Sequence, residues 1–118
     1  MIGRHLLLEH WGGRHLTDAP RLEAALRDAA DTASARVLAA HFHPFAGGGV
    51  TGVLLLAESH ITIHTWPEHG YAALDLFLCG AARVDAAADA LDAALNPTHS
   101  ERRILARGQR NHSAQPAS

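Results

Sequence analysis

Lysine is missing from this 118-residue sequence: every one of the 10 residues in its Lys+Arg total is arginine. An enzyme that uses pyridoxal phosphate normally holds it on a lysine side chain, so that route to amino-acid chemistry is closed to this chain. Arginine-favouring codon usage accounts for the composition, and the chemical consequence stands regardless. Thiols are nearly missing too. Cys79 is the only cysteine, which excludes an intrachain disulfide and suits a reducing cytoplasm. No apolar run approaches membrane-spanning length, and Met1–Trp11 is too short and too polar for a signal peptide. Excess positive charge is also lacking: the net charge is −2, with no basic footprint for nucleic acid. A soluble cytoplasmic protein that binds neither nucleic acid nor membrane is expected.

Between these absences the chain alternates strand and helix patterns. Residues 3–10 (GRHLLLEH) read as a strand. Thr17, Asp18 and Pro20 supply a helix start, and Leu22, Ala25, Leu26, Ala29, Ala30 and Ala33 follow one helical face. Strands are predicted over 36–43, 50–57, 60–66 and 71–78, with a Pro44/Gly47–Gly49 loop and a 67–70 turn between them. An alanine-rich helix spans 84–95 and is stopped by Asn96-Pro97, and a last strand covers 100–106. The order β-α-β-β-β-β-α-β predicts an α+β two-layer sandwich, an antiparallel sheet with two helices on one face. It forms a single domain over 1–108, followed by a disordered tail over 109–118.

The chemistry-bearing residues crowd into 51–80. Ser59, His60, His64, Glu68, Asp75 and Cys79 fall on neighbouring strands, and buried strands seldom carry so many reactive groups without a use. A nucleophile near a histidine is the general signature of covalent catalysis. Composition alone does not separate a hydrolase, a metal site and a satisfied polar core. The 10 histidines raise the metal reading, with His41 and His43 on one strand face and His60 and His64 on another. Their spacing matches no zinc motif, so they are read as pocket or surface residues, with no metal expected.

Glu58-Ser59-His60, then Ile63-His64-Thr65-Trp66-Pro67-Glu68, then Gly70-Tyr71-Ala72-Ala73 and Cys79-Gly80, resemble the bacterial S-adenosylmethionine decarboxylase proenzyme family. Gly3-Arg4-His5-Leu6-Leu7 extends the likeness, which covers nearly all of the chain apart from its tail. The resemblance implies a self-processing, pyruvoyl-dependent decarboxylase cut into residues 1–58 and 59–118. Ser59 would be the precursor of the covalent pyruvoyl cofactor, His64 the base for processing, and Thr51 a hydroxyl that assists it where many relatives have serine. The ketone so formed would take the role that pyridoxal phosphate plays elsewhere, and Cys79 would return a proton to the substrate's α-carbon. A thiol is largely protonated near neutral pH and fit for that task.

On the substrate side the resemblance assigns Phe45 to stacking on adenine and Glu68 to the ribose hydroxyls, with Trp66 beside them. It further implies a homodimer with residues of both chains in each site, and a product that feeds spermidine and other polyamine synthesis. The chain departs from the family pattern in the 45–50 loop, which lacks Pro-Gln before Gly-Val. It also has no cysteine near Trp11-Gly12-Gly13, and it carries Leu78 where threonine is common. Alternatives are a pyruvoyl-dependent ornithine or arginine decarboxylase, a non-catalytic regulatory homologue, and a small metal-binding module.

Overall fold

The structure, a computed structural model, describes residues 2–80 and 82–110. The expected tail lies outside the described residues from position 111 onward. The described residues form six strands and two helices: β1 (Gly3–Trp11), α1 (Ala19–Thr32), β2 (Val37–Pro44), β3 (Val50–Leu56), β4 (Ser59–Trp66), β5 (Tyr71–Cys79), α2 (Val84–Leu95) and β6 (His99–Arg107), with one 3₁₀ turn at Pro67–His69. The strands form one sheet in the order β2-β3-β4-β5-β1-β6 with every neighbouring pair antiparallel. Both helices pack on the same face, α1 over β2 and β3 and α2 over β5 and β1. The α+β sandwich expected from the pattern is the fold observed.

Local chemistry explains the elements. The Asp18 side chain accepts from the Arg21 amide at the start of α1, and Pro20 sits in the first turn. α2 stops at Asn96, whose φ of 46° is the left-handed conformation that asparagine tolerates, with Pro97 next. Strand residues alternate between the faces. Leu6, Leu8, Leu54, Leu56, Ile61, Ile63, Leu74 and Leu76 are buried under the helices against Leu22, Leu26, Leu91 and Leu95. Each such side chain contributes about 1.5–3 kcal/mol. Gly52 belongs to this face because the Phe42 ring lies across it. A Cβ there would come within 2.1 Å of the ring.

The opposite face has no helix. It carries His5, Leu7 and Glu9 of β1, Thr51, Val53 and Leu55 of β3, His60, Thr62 and His64 of β4, and Asp75, Phe77 and Cys79 of β5. Among the described residues, no helix is long and apolar enough to cross a membrane.

Candidate active site

Two clusters of the expected residues form at opposite ends of the sheet. The first is built on the β3–β4 hairpin. Leu56 pairs with Ser59, so only Ala57 and Glu58 make the turn, and Glu58 is left-handed at φ 62°. For a residue with a Cβ that conformation costs about 1–2 kcal/mol. Ser59 is the first residue of β4, faces the helices and is only 8% exposed. Its Oγ accepts a hydrogen bond from the Cys79 main-chain N–H at 3.2 Å. Ser59 and Cys79 also line one cavity of about 380 Å³, whose walls include Ala33, Ala35, Ala57 and Ala82, with Arg36 and Arg83 beside them.

The second cluster lies where β4 leaves the sheet. Thr51 and His64 are cross-strand partners, with Thr51 Oγ1 3.0 Å from His64 Nδ1. When Nδ1 holds the proton and donates to the hydroxyl, Nε2 keeps the free lone pair that a base requires. Phe45, Trp66 and Glu68 border the same cavity, about 240 Å³ in volume. Phe45 is 53% exposed and lies edge-on to His43 at 4.7 Å between ring centroids, so one of its faces is free to stack. Buried Thr65 braces the cavity floor: it accepts from Val50 N at 2.8 Å and donates to Leu16 O at 2.7 Å.

The two clusters do not meet within one chain. Ser59 and His64 are five residues apart on one extended strand, about 17 Å at the usual rise of roughly 3.3 Å per residue. They also point to opposite faces, Ser59 toward the helices and His64 toward the open side.

An aromatic ladder escaped the sequence reading. Trp11, Tyr71 and Trp66 stand in register on β1, β5 and β4, with centroids 4.4 and 5.5 Å apart, and Trp66 continues toward His64 at 6.1 Å. Tyr71 also donates to Glu9. Burial, with that carboxylate beside it, pushes the phenol up to about 12. The signal available in the sequence was the coincidence of aromatics at strand ends, but it becomes legible only once the register is known. Among the described residues, no three His, Cys, Asp or Glu side chains gather as metal ligands.

Residues 4–108 match the family profile described as S-adenosylmethionine decarboxylase. The chain belongs to that family. The S-adenosylmethionine decarboxylase proenzyme of Geobacillus kaustophilus is 41% identical over 111 residues, 92% of this chain and 90% of the relative. That of Methanococcus maripaludis is 49% identical over 81 residues, 67% of this chain but only 66% of the relative's length. Among solved structures, the adenosylmethionine decarboxylase from Aquifex aeolicus superposes with a TM-score of 0.78 at 32% identity, covering 98% of each chain. The S-adenosylmethionine decarboxylase family thus accounts for the fold as well as for the 51–80 motif, and the two separated clusters are features of a member of that family.

Proposed function

We propose that this chain is a self-cleaving S-adenosylmethionine decarboxylase that cuts its backbone between Glu58 and Ser59 and carries a pyruvoyl group made from Ser59. The observation that carries the reading is the Glu58–Ser59 junction. A nucleophilic hydroxyl follows a left-handed residue in a two-residue turn, and a main-chain N–H already binds the hydroxyl oxygen. The junction fits the group: Ser59 lines a cavity whose wall includes four alanines together with Arg36 and Arg83, with Cys79 as its neighbour, and the chain has no lysine to bind pyridoxal phosphate. The pyruvoyl ketone supplies an electrophile for the substrate α-amine and a sink for the electrons released with carbon dioxide.

The chain's own side chains do the remaining work. Cys79 delivers the proton that the substrate's α-carbon needs after decarboxylation. Phe45 stacks on the adenine and Glu68 holds the ribose hydroxyls, with Trp66 closing the side. His64, oriented by Thr51, is the processing base. Because it lies about 17 Å from Ser59 of the same chain, it serves the Ser59 of a second copy. Val53, Leu55 and Leu105, 37%, 49% and 44% exposed on the helix-free face, are apolar surface that supports a homodimer, each site built from both chains. The product is an aminopropyl donor for spermidine synthesis, made in the cytoplasm.

Intact mass of the purified protein tests the cut. Fragments 1–58 and 59–118 are expected, the second lighter by one ammonia than simple hydrolysis leaves it. A free serine amino terminus on that fragment overturns the pyruvoyl reading. Carbon dioxide release should follow addition of S-adenosylmethionine. Release from ornithine or arginine instead assigns the alternative substrates.

A further inference from the structure

We infer that the main-chain N–H of Cys79 is a catalytic donor for the chain's self-cleavage, held on the one oxygen that changes from nucleophile to leaving group. The inference rests on the self-cleavage reading above and concerns a group that reading leaves without a task. The β4–β5 register pairs His60 with Phe77 and Thr62 with Asp75, so the position opposite Cys79 falls to Glu58. Glu58, however, is left-handed at φ 62° in the hairpin turn, and β4 starts only at Ser59. The ladder, whose last pair is His60 with Phe77, therefore ends two residues short of Cys79. Its N–H, which would be costly to bury unpaired, donates to Ser59 Oγ instead, at 3.2 Å.

The chemistry gives that contact a use. In the first step Ser59 Oγ gives up its proton and bonds to the Glu58 carbonyl carbon. The Glu58–Ser59 C–N bond then breaks and the nitrogen takes a proton, leaving an ester on Oγ and a free amine on Ser59. In the second step a base removes the Ser59 α-proton. The electron pair forms a Cα–Cβ double bond, and the Cβ–Oγ bond breaks with its electrons going to Oγ. That oxygen departs as one of the two carboxylate oxygens of Glu58. The resulting enamine tautomerises to an imine, and water displaces ammonia to give the ketone.

Oγ carries negative charge twice, as the alkoxide left when its proton departs and as an oxygen of the leaving carboxylate; during the attack itself the charge passes to the Glu58 carbonyl oxygen. A donor fixed on it before either step strengthens as that charge appears and needs no reorganisation. The left-handed turn at Glu58 is thus coupled to the chemistry: it takes away the ladder partner and frees the amide for the oxygen.

The test replaces the Leu78–Cys79 amide by an ester in a full-length chain assembled by chemical ligation, which removes this N–H and keeps the thiol. The control carries the ester at Phe77, whose N–H points toward β4 in the same sense because donors alternate along a strand. The unmodified synthetic chain should cut itself on folding. The Cys79-ester chain should cut about a hundredfold more slowly, the usual effect of losing one such donor. It should also accumulate uncut chain with Glu58 esterified to Ser59, cleaved by hydroxylamine. The Phe77-ester chain should cut within a few-fold of the unmodified one and accumulate no such ester.

Equal cutting by the two ester chains overturns the donor role. An unmodified chain that stays whole overturns the self-cleavage reading itself. If the Cys79-ester chain does not fold, amide exchange in the uncut variants decides. The Cys79 proton should exchange at least tenfold faster in Ser59→Ala than in His64→Ala, and equal rates overturn the assignment.

Discussion

At the scale of single residues, the proposal gives Ser59 and Cys79 different chemistry at neighbouring backbone positions, joined by the hydrogen bond from the Cys79 N–H to Ser59 Oγ. On that proposal Ser59 is consumed in the cut, whereas the Cys79 thiol, on the opposite side of its strand from the buried Leu78, takes no part in that step. Cys79→Ala should therefore leave cutting largely intact and slow turnover by about 10²–10⁴-fold, the range for loss of a positioned general acid. Protonation at the wrong carbon would then convert the pyruvoyl group to alanine and kill the enzyme. Mass spectrometry after incubation with substrate should show N-terminal alanine on the 59–118 fragment. Full activity with no alanine formed would make Cys79 a packing residue. Ser59, His64 and Cys79 could be proposed from the sequence because the motif that contains them is long. Their grouping was not, since five strand residues separate Ser59 from His64 and the pleat turns them to opposite faces.

At the scale of elements, a polar network ties β1, α2 and β6 together. His10 is 1% exposed, and its Nε2 lies 2.7 Å from Asp92 Oδ1. Asp92 also accepts from Ser100 Oγ at 2.9 Å and from Arg102 at 2.7 Å, and Arg102 reaches Asp89 as well. Burial holds the His10 imidazole below its ordinary 6.5, outweighing the pull of Asp92. Burial would raise Asp92, but donors from Arg102, His10 and Ser100 bring its carboxyl below the usual range.

A neutral His10 donates through Nε2 and leaves Nδ1 as a bare acceptor, in keeping with the lack of a partner for Nδ1. Both shifts act in the same direction. As pH falls below 6.5 the unfolded chain protonates His10 before the folded chain does, so stability drops by up to about 1.4 kcal/mol per pH unit. Asp92 adds a further loss once the pH passes below the ordinary carboxylate range. Melting of the uncut Ser59→Ala chain between pH 7.5 and 5 should show this slope, and adding His10→Asn should flatten it. An unchanged slope in the double variant would place the titration elsewhere.

At the scale of the whole molecule, the dimer proposal makes the two clusters halves of a site completed by a second copy. That arrangement gives a complementation test. Ser59→Ala keeps His64 but has nothing to cut, and His64→Ala keeps Ser59 but lacks the base. Expressed separately, both should remain largely uncut. Mixed within one cell, the heterodimer unites an intact Ser59 with an intact His64, and the His64→Ala chain should then cut to a substantial fraction, visible as fragments on a denaturing gel. Failure to cut on mixing, with heterodimers present by mass, would return the base to the same chain.

The sequence by itself determined the element order, the alternating faces of β4 and the motif from which Ser59, His64 and Cys79 are proposed to carry the chemistry. Alternation, helical spacing and an uncommon motif are local properties, readable wherever neighbouring residues interact. Only the tertiary structure decided which of those residues meet. The register of β4 against β5 sets Glu58 opposite Cys79, and the left-handed turn withdraws it and leaves an amide for Ser59. The register of β3 against β4 joins Thr51 to His64 at the other end of the sheet. Pairing of this kind joins residues far apart in the chain through backbone hydrogen bonds, and a shift of one residue would turn every side chain to the other face. No local pattern encodes it.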